Sequence, residues 1–194
     1  MLRSVAAIFE DPATPVDVRV WINLSPRELE VASFAARFSD AVAAAGVPPE
    51  RVGLEITETA AVRDPAALAV ELAEVRRSGV KIAIDDFGNG YSPLGFLRDL
   101  PVDVVKLDRS LIANIDSDAA NQHLVRGIVG MLDELGIDIT AEGVERIEEE
   151  SWLANHGVVA TQGFLRGRPV ASSQLDWTAR LDQRSVGAVP ALRA

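Results

Sequence analysis

Residues 80–110 read VKIAIDDFGNGYSPLGFLRDLPVDVVKLDRS, two apolar runs joined through a polar loop and a short helix. Val80 to Asp85 is a short apolar run that ends on two adjacent carboxylates, Asp85 and Asp86. A loop follows, a short helix opens at Ser92-Pro93 and closes at Pro101, and Val102 to Leu107 is a second apolar run carrying Lys106 and tipped by Asp108. Strand, polar tip, loop, helix and next strand make one parallel β/α unit, whose crossover is right-handed.

The same unit recurs on both sides. Upstream, Val16 to Leu24 alternates apolar and polar residues and carries Asn23, and Val52 to Thr57 carries Glu55. Downstream, Ile137 to Ala141 leads into Glu142, and Val158 to Thr161 leads into Gln162. Helical segments separate these runs. Ser25-Pro26-Arg27-Glu28 reads as a capping box opening a helix that stops at Gly46, and Asp64-Pro65 opens one that stops at Gly79. Others run from about Asp118 to Gly136, over Glu148 to Asn155 and over Ser172 to Leu181. A functional residue at each strand end predicts an α/β fold of the (β/α) barrel type, because a barrel gathers its chemistry at one mouth. Six units are two short of a closed eight-stranded barrel. An open doubly wound sheet would instead gather its ligand at one switch point.

Composition narrows the chemistry. The chain has 194 residues with no cysteine and two histidines, so thiolate sites are excluded and a metal would be held by oxygen ligands, which suit Mg2+ or Mn2+. A formal charge of −10 argues against a nucleic-acid polymer as partner, although a small nucleotide remains compatible if bound cations invert the local field. No run is long enough to span a membrane and no signal peptide is recognisable, so the expected location is cytoplasmic.

Each tip residue has a plain structural use as well as a chemical one. Asp85-Asp86 could shape a turn, but paired carboxylates at the end of an apolar strand repel each other unless a cation compensates them. Glu55 lies inside an apolar run, where an unpaired carboxylate is expensive, and is the better ligand of the pair Glu55 and Glu58. Asn23 could bond loop backbone, and Glu142 and Gln162, each followed by glycine, could serve turns. Lys106 could snorkel, hold phosphate, orient water or form a Schiff base, with Asp108 on the same face as its ion-pair partner. Taken together, Asn23, Glu55, Asp85, Asp86 and Glu142 supply enough oxygen ligands for two divalent cations, with Lys106 and Gln162 beside them. That set points to metal-assisted phosphodiester hydrolysis. A lysine-dependent aldolase would leave the carboxylates unexplained.

The segments INLSPREL, LEITE, IAIDDFGNGYSPLGFL, DVVKLDRSLI, AEGVE and QGFLRGRP, in this order from Val16 to Val170, closely resemble the EAL-domain family of bacterial cyclic di-GMP phosphodiesterases. The resemblance implies a modified TIM-type barrel whose first strand is antiparallel to the rest, and hydrolysis of cyclic di-GMP to linear pGpG. It implies metal ligation by Asn23, Glu55, Asp85, Asp86 and Glu142, with a metal-bridging water as nucleophile. Lys106 would position or deprotonate that water, and Gln162 would stand near the water and phosphate. Glu58 would anchor the loop containing Gly88, Gly90 and Tyr91, which the family links to activity and dimerisation.

The Glu-Ala-Leu triplet that names the family is absent from these 194 residues. The resemblance therefore implies that residues 1–15 are the end of the helix that follows it, with two barrel strands and a ligand glutamate missing. Pro93 and Arg166 are smaller departures, the latter where an apolar or aromatic residue is common. The expected organisation is a barrel domain over 16–182 and a tail over 183–194, in a protein that forms a homodimer and carries a sensor or diguanylate cyclase domain upstream. The alternative is a non-catalytic cyclic di-GMP receptor or protein-interaction module.

Overall fold

The computed structural model describes residues 2–29, 31, 33–90, 94–158, 160–175 and 177. Six parallel strands lie in sequence order in one sheet: β1 (Val20–Leu24), β2 (Val52–Thr57), β3 (Lys81–Phe87), β4 (Val104–Leu107), β5 (Asp138–Glu142) and β6 (Ala160–Gln162). Sequential parallel order with a helical crossover after each strand curls the sheet into part of a β/α barrel, as the spacing of tips predicts.

Helices cover the outer face. The main ones are α1 (Leu2–Glu10), α3 (Phe34–Ala44), α5 (Pro65–Arg77), α8 (Ala119–Glu134) and α9 (Ile147–Ala154). Short turns of helix, α2 (Pro26–Leu29), α4 (Glu58–Arg63) and α7 (Arg109–Ile112), occupy strand-to-helix connections, and another, α6 (Phe96–Asp99), is the whole helical crossover from β3 to β4 among the described residues. In α5 the buried residues Leu68, Leu72 and Val75 recur at helical spacing, and in α8 Val125, Val129 and Leu132 do the same. Asp64 and Asp118 cap these two helices, each accepting backbone N–H bonds from the first turn. Between them and the sheet lies a core in which Leu54, Ile56, Ile82, Ile84 and Leu107 have no exposed surface. Each such side chain contributes roughly 1.5–3 kcal/mol.

At the end of the sheet opposite the functional tips, buried Asp103 accepts bonds from Lys81 Nζ at 2.8 Å, Arg76 and the Ile82 N–H. Burial alone would raise its pKa, but these bonds hold it below the ordinary value. This ties β3, β4 and α5 at their bases.

Several expected boundaries shift. The first strand begins at Val20 because its neighbour begins at Val52, in register with it; Val16 is 87% exposed, and Arg51 bonds the Val18 and Pro15 carbonyls in place of a ladder. The helix expected from Ser25 to Gly46 is two pieces. Glu28 does fold back on the Ser25 N–H and Oγ, but Ser33 is left-handed (φ 59) and the second piece starts afresh, with Glu71 accepting the Ala35 N–H at 2.8 Å. The last helix is a single 3-10 turn, Ser172–Gln174, within the described residues; the rest of the expected Ser172–Leu181 helix, except Leu175 and Trp177, lies outside them, as does the tail over 183–194. Tyr91, Ser92 and Pro93 also lie outside the described residues. Among the described residues no helix is long and apolar enough to cross a membrane.

Candidate active site

The strand tips open on a cleft of about 940 Å3 whose lining includes Asn23, Glu55, Asp85, Asp86, Lys106, Asp108, Glu142 and Gln162. The register explains the convergence. Asn23 pairs with Glu55 across β1 and β2, Thr57 pairs with Asp85, and Glu142 pairs with Gln162.

Alternation along a strand sends neighbours to opposite faces, so Asp85 and Asp86 should not both reach the cleft. A bulge resolves this. The β3–β4 register slips between Ile84, which pairs with Val105, and Phe87, which pairs with Leu107, so two aspartates oppose the single residue Lys106. Asp86 takes up the extra length in a left-handed backbone (φ 55), which aspartate tolerates better than most residues. One oxygen each from Asp85, Asp86 and Glu142 lies within 4.8 Å of the others.

Lys106 is the electrostatic centre. Its Nζ stands 2.8 Å from Glu55 Oε1, 2.8 Å from Asp85 Oδ1 and 2.6 Å from Glu142 Oε1, and its side chain is 7% exposed. Burial opposes its charge, but Glu55, Glu142 and Asp85 outweigh that and hold the ammonium well above its ordinary range. One cation cannot neutralise the set. Burial pushes Glu55, Asp86 and Glu142 up, and mutual repulsion among the carboxylates adds to it despite Lys106. A cluster of four carboxylates around one ammonium is an under-neutralised oxygen-donor site, and its donor set fits hard divalent cations.

Asp108 does not pair with Lys106. Its carboxylate accepts the Ser110 N–H at 2.9 Å and caps α7, so it serves the loop from the cleft rim. Glu58, at the first turn of α4, is buried, and its Oε2 accepts the Gly88 N–H at 3.0 Å. Gly88 is left-handed (φ 98), and a β-carbon there would stand 2.5 Å from Leu111 Cδ1. A β-carbon added at Gly90 would stand 3.6 Å from Glu58 Oε1. Glu58 thus fixes the backbone that leaves the aspartate pair.

Some cleft residues had no place in the sequence reading. Arg109, Glu145 and Phe164 line the rim. Arg166 pairs with Glu150 of α9, which also accepts Thr161 Oγ1 and Arg166 Nε, both at 2.8 Å. The charged departure at position 166 therefore has a charged partner, 16 residues back and invisible to local spacing.

A family model described as the EAL domain matches residues 1–169. The bifunctional diguanylate cyclase/cyclic di-GMP phosphodiesterase MucR of Pseudomonas aeruginosa is 36% identical over 159 residues, which are 82% of this chain and 23% of that protein. The solved cyclic di-GMP complex of the PaMucR phosphodiesterase superposes with a TM-score of 0.80 at 34% identity, covering 89% of this chain and 69% of that one. The manganese and cyclic di-GMP complex of Klebsiella pneumoniae BlrP1 gives 0.75 at 33% identity, over 84% of this chain and 41% of that one. The chain spans 19% to 30% of the length of the curated relatives it matches.

Proposed function

This chain belongs to the EAL domain family, and from that premise we propose that it is a metal-dependent phosphodiesterase that opens cyclic di-GMP to linear pGpG. The observation that carries the reading is the cluster itself: Glu55, Asp85, Asp86 and Glu142 around one lysine, at the mouth of a cleft large enough for a nucleotide.

Asn23, Glu55, Asp85, Asp86 and Glu142 would hold two Mg2+ or Mn2+ ions. When bound, the ions would supply charge neutralisation and Lewis-acid activation for attack on phosphorus. The chain's own residues do the rest. Lys106, cationic and bonded to three carboxylates, would free an N–H for the attacking oxygen as those carboxylates turn to the cations, and so keep it aligned. Gln162, level with Glu142, offers an amide to a phosphate oxygen. Glu58 keeps the Gly88 backbone from relaxing away from the aspartates. In the reaction a water oxygen bonds to phosphorus, one ribose 3′ ester bond breaks, and the departing oxygen takes a proton, leaving a 5′-phosphate on the product.

One named relative carries cyclase and phosphodiesterase functions together, and this chain matches only part of such proteins. A sensor or cyclase domain in the whole protein, cytoplasmic placement and homodimerisation form part of the same reading. The test is chromatography of cyclic di-GMP incubated with purified chain and Mg2+ or Mn2+, with Asp85→Ala as control. Formation of pGpG that disappears in the control supports the proposal. Binding without turnover selects a receptor instead.

A further inference from the structure

Among the described residues that line the cleft, two carry cationic side chains, Lys106 and Arg109. Lys106 is fully engaged by Glu55, Asp85 and Glu142. Arg109 is not. Its side chain is 59% exposed, and its Nη2 meets the Glu145 carboxylate at 2.9 Å.

The stem of Arg109 is nonetheless well placed. The residue opens α7 directly after the capping Asp108. Its aliphatic carbons lie across Gly143, where an added β-carbon would stand 2.6 Å from Arg109 Cγ and 2.7 Å from Arg109 Cβ. Gly143 is left-handed (φ 69) and immediately follows Glu142, so the glycine lets the arginine stem lie against the strand tip that carries a ligand carboxylate. The guanidinium is carried to the rim beside the carboxylate cluster, with donors left over for a ligand.

We propose that Arg109 is a substrate-binding residue that takes the second, non-reacting phosphodiester of the cyclic dinucleotide. The proposal rests on the phosphodiesterase reading of the same cleft. A cyclic dinucleotide carries two phosphodiester anions. The cleft presents Glu55, Asp85, Asp86, Asp108, Glu142 and Glu145 to them, and repels both. The reacting phosphate would be compensated at the carboxylate cluster by the cations that Glu55, Asp85, Asp86 and Glu142 would hold. The other needs a positive partner, and Arg109 supplies a planar donor fork suited to phosphate oxygens. Glu145 holds the fork near its working position before the ligand arrives, which reduces the ordering cost of binding.

The test is calorimetric titration of the full chain with cyclic di-GMP, using calcium as the cation, for wild type, Arg109→Ala and Arg109→Lys. Circular dichroism checks that each variant is folded. Arg109→Ala should raise Kd about tenfold or more, as for loss of a charge-assisted hydrogen bond. Arg109→Lys should fall between wild type and Arg109→Ala, because the point charge on the phosphate is kept and the donor fork is lost. In turnover with manganese, Arg109→Ala should lose at least about fivefold more kcat/KM on cyclic di-GMP than on bis(p-nitrophenyl) phosphate, which has a single phosphodiester. An unchanged Kd in Arg109→Ala overturns the proposal, as does a lysine variant no better than alanine, which indicates base reading. Equal losses on the two substrates overturn it as well. If wild type binds cyclic di-GMP but hydrolyses neither substrate, the phosphodiesterase reading fails and Arg109 is still judged by the Kd series. If wild type does not bind, both fall.

Discussion

The Lys106 ammonium lies 2.8 Å from Asp85 Oδ1, and the bulge that sets two residues of β3 against Lys106 turns the next residue, Asp86, to the same cleft. Lys106 therefore faces more negative charge than it can balance, since Glu55 and Glu142 also compete for it. The cluster is held together by the lysine and strained by its own excess of carboxylates.

Lys106→Met removes the ammonium and leaves Glu55 and Glu142 buried without their cation. Breaking a buried ion pair from one side costs on the order of 3 kcal/mol, and the cost is greatest where the carboxylates are ionised. Urea denaturation of the metal-free variant should show a lower midpoint than wild type near neutral pH, with the gap narrowing as acid protonates the cluster. An equal midpoint at neutral pH would mean that the lysine contributes no net stabilisation.

The pH dependence of metal binding has a definite sign. Glu55, Asp86 and Glu142 have folded pKa values raised above their unfolded ones. Their stabilising contribution is complete below the unfolded pKa and is lost as pH rises through the folded pKa. In the range just above ordinary carboxylate values the metal-free Tm should therefore fall as pH rises; Asp103 and Glu149, whose values are lowered, act in the opposite sense and at more acid pH. Manganese should reverse this, because it binds the ionised cluster. Thermal melts should show a larger manganese-induced rise in Tm at about pH 8 than at about pH 5. A rise independent of pH would place the ion elsewhere.

The tips Asn23, Glu55, Asp85, Glu142 and Gln162 were readable because each stands at the end of an apolar run, and strand ends in a parallel sheet share one mouth. Asp86 was readable as a candidate, but not the route by which it reaches the cleft: alternation sends it away, and only the register slip against β4 returns it. Asp108 illustrates the opposite error. Period-two spacing placed it beside Lys106, yet the strand ends at Leu107, and the next residue caps a helix turn. Ser33 split a helix whose apolar spacing looked continuous, because a left-handed residue carries no strong local signal when it is not glycine. Arg166 found Glu150 only because α9 folds back along β6. Local pattern set the elements; register and long-range pairing set the details of the site.

Glu58→Ala should separate loop order from fold. The carboxylate accepts the Gly88 N–H, and losing a bond to a charged acceptor costs about 1.5–3 kcal/mol, while α4 keeps the cap from Thr57. We expect a modest fall in Tm and a much larger fall in kcat on cyclic di-GMP. Glu58→Gln, which can still accept the bond, should recover part of that rate. Parallel losses of Tm and kcat in both variants would make Glu58 a core residue only.

Arg166 and Glu150 form a partly buried pair that braces the segment carrying Gln162. Either single change, Arg166→Phe or Glu150→Leu, should destabilise by about 1–3 kcal/mol, because it strands the remaining charge. The double replacement Glu150→Leu with Arg166→Phe exchanges the pair for apolar contact and should recover most of the loss. A double variant as unstable as the sum of the singles would show that the two residues act independently, and the denaturant midpoints of the four proteins decide it.

Asp86→Asn tests whether the left-handed residue is kept for its charge. Asparagine tolerates the same backbone (φ 55), so the bulge should survive and the aspartate pair lose one negative charge. Asp85 and Asp108 both push the Asp86 carboxylate toward its neutral form, in addition to burial, so removing its charge relieves repulsion that the metal-free protein otherwise carries. The metal-free variant should melt higher than wild type at about pH 8, where the carboxylate is ionised, and match it more closely at about pH 5. The manganese-induced rise in Tm should shrink sharply and hydrolysis of cyclic di-GMP should be lost, which is the pattern of a site that trades stability for function. A metal-free melting point unchanged or lowered at alkaline pH, with circular dichroism showing the fold intact, would mean that Asp86 is retained for the shape of the bulge and not for its charge.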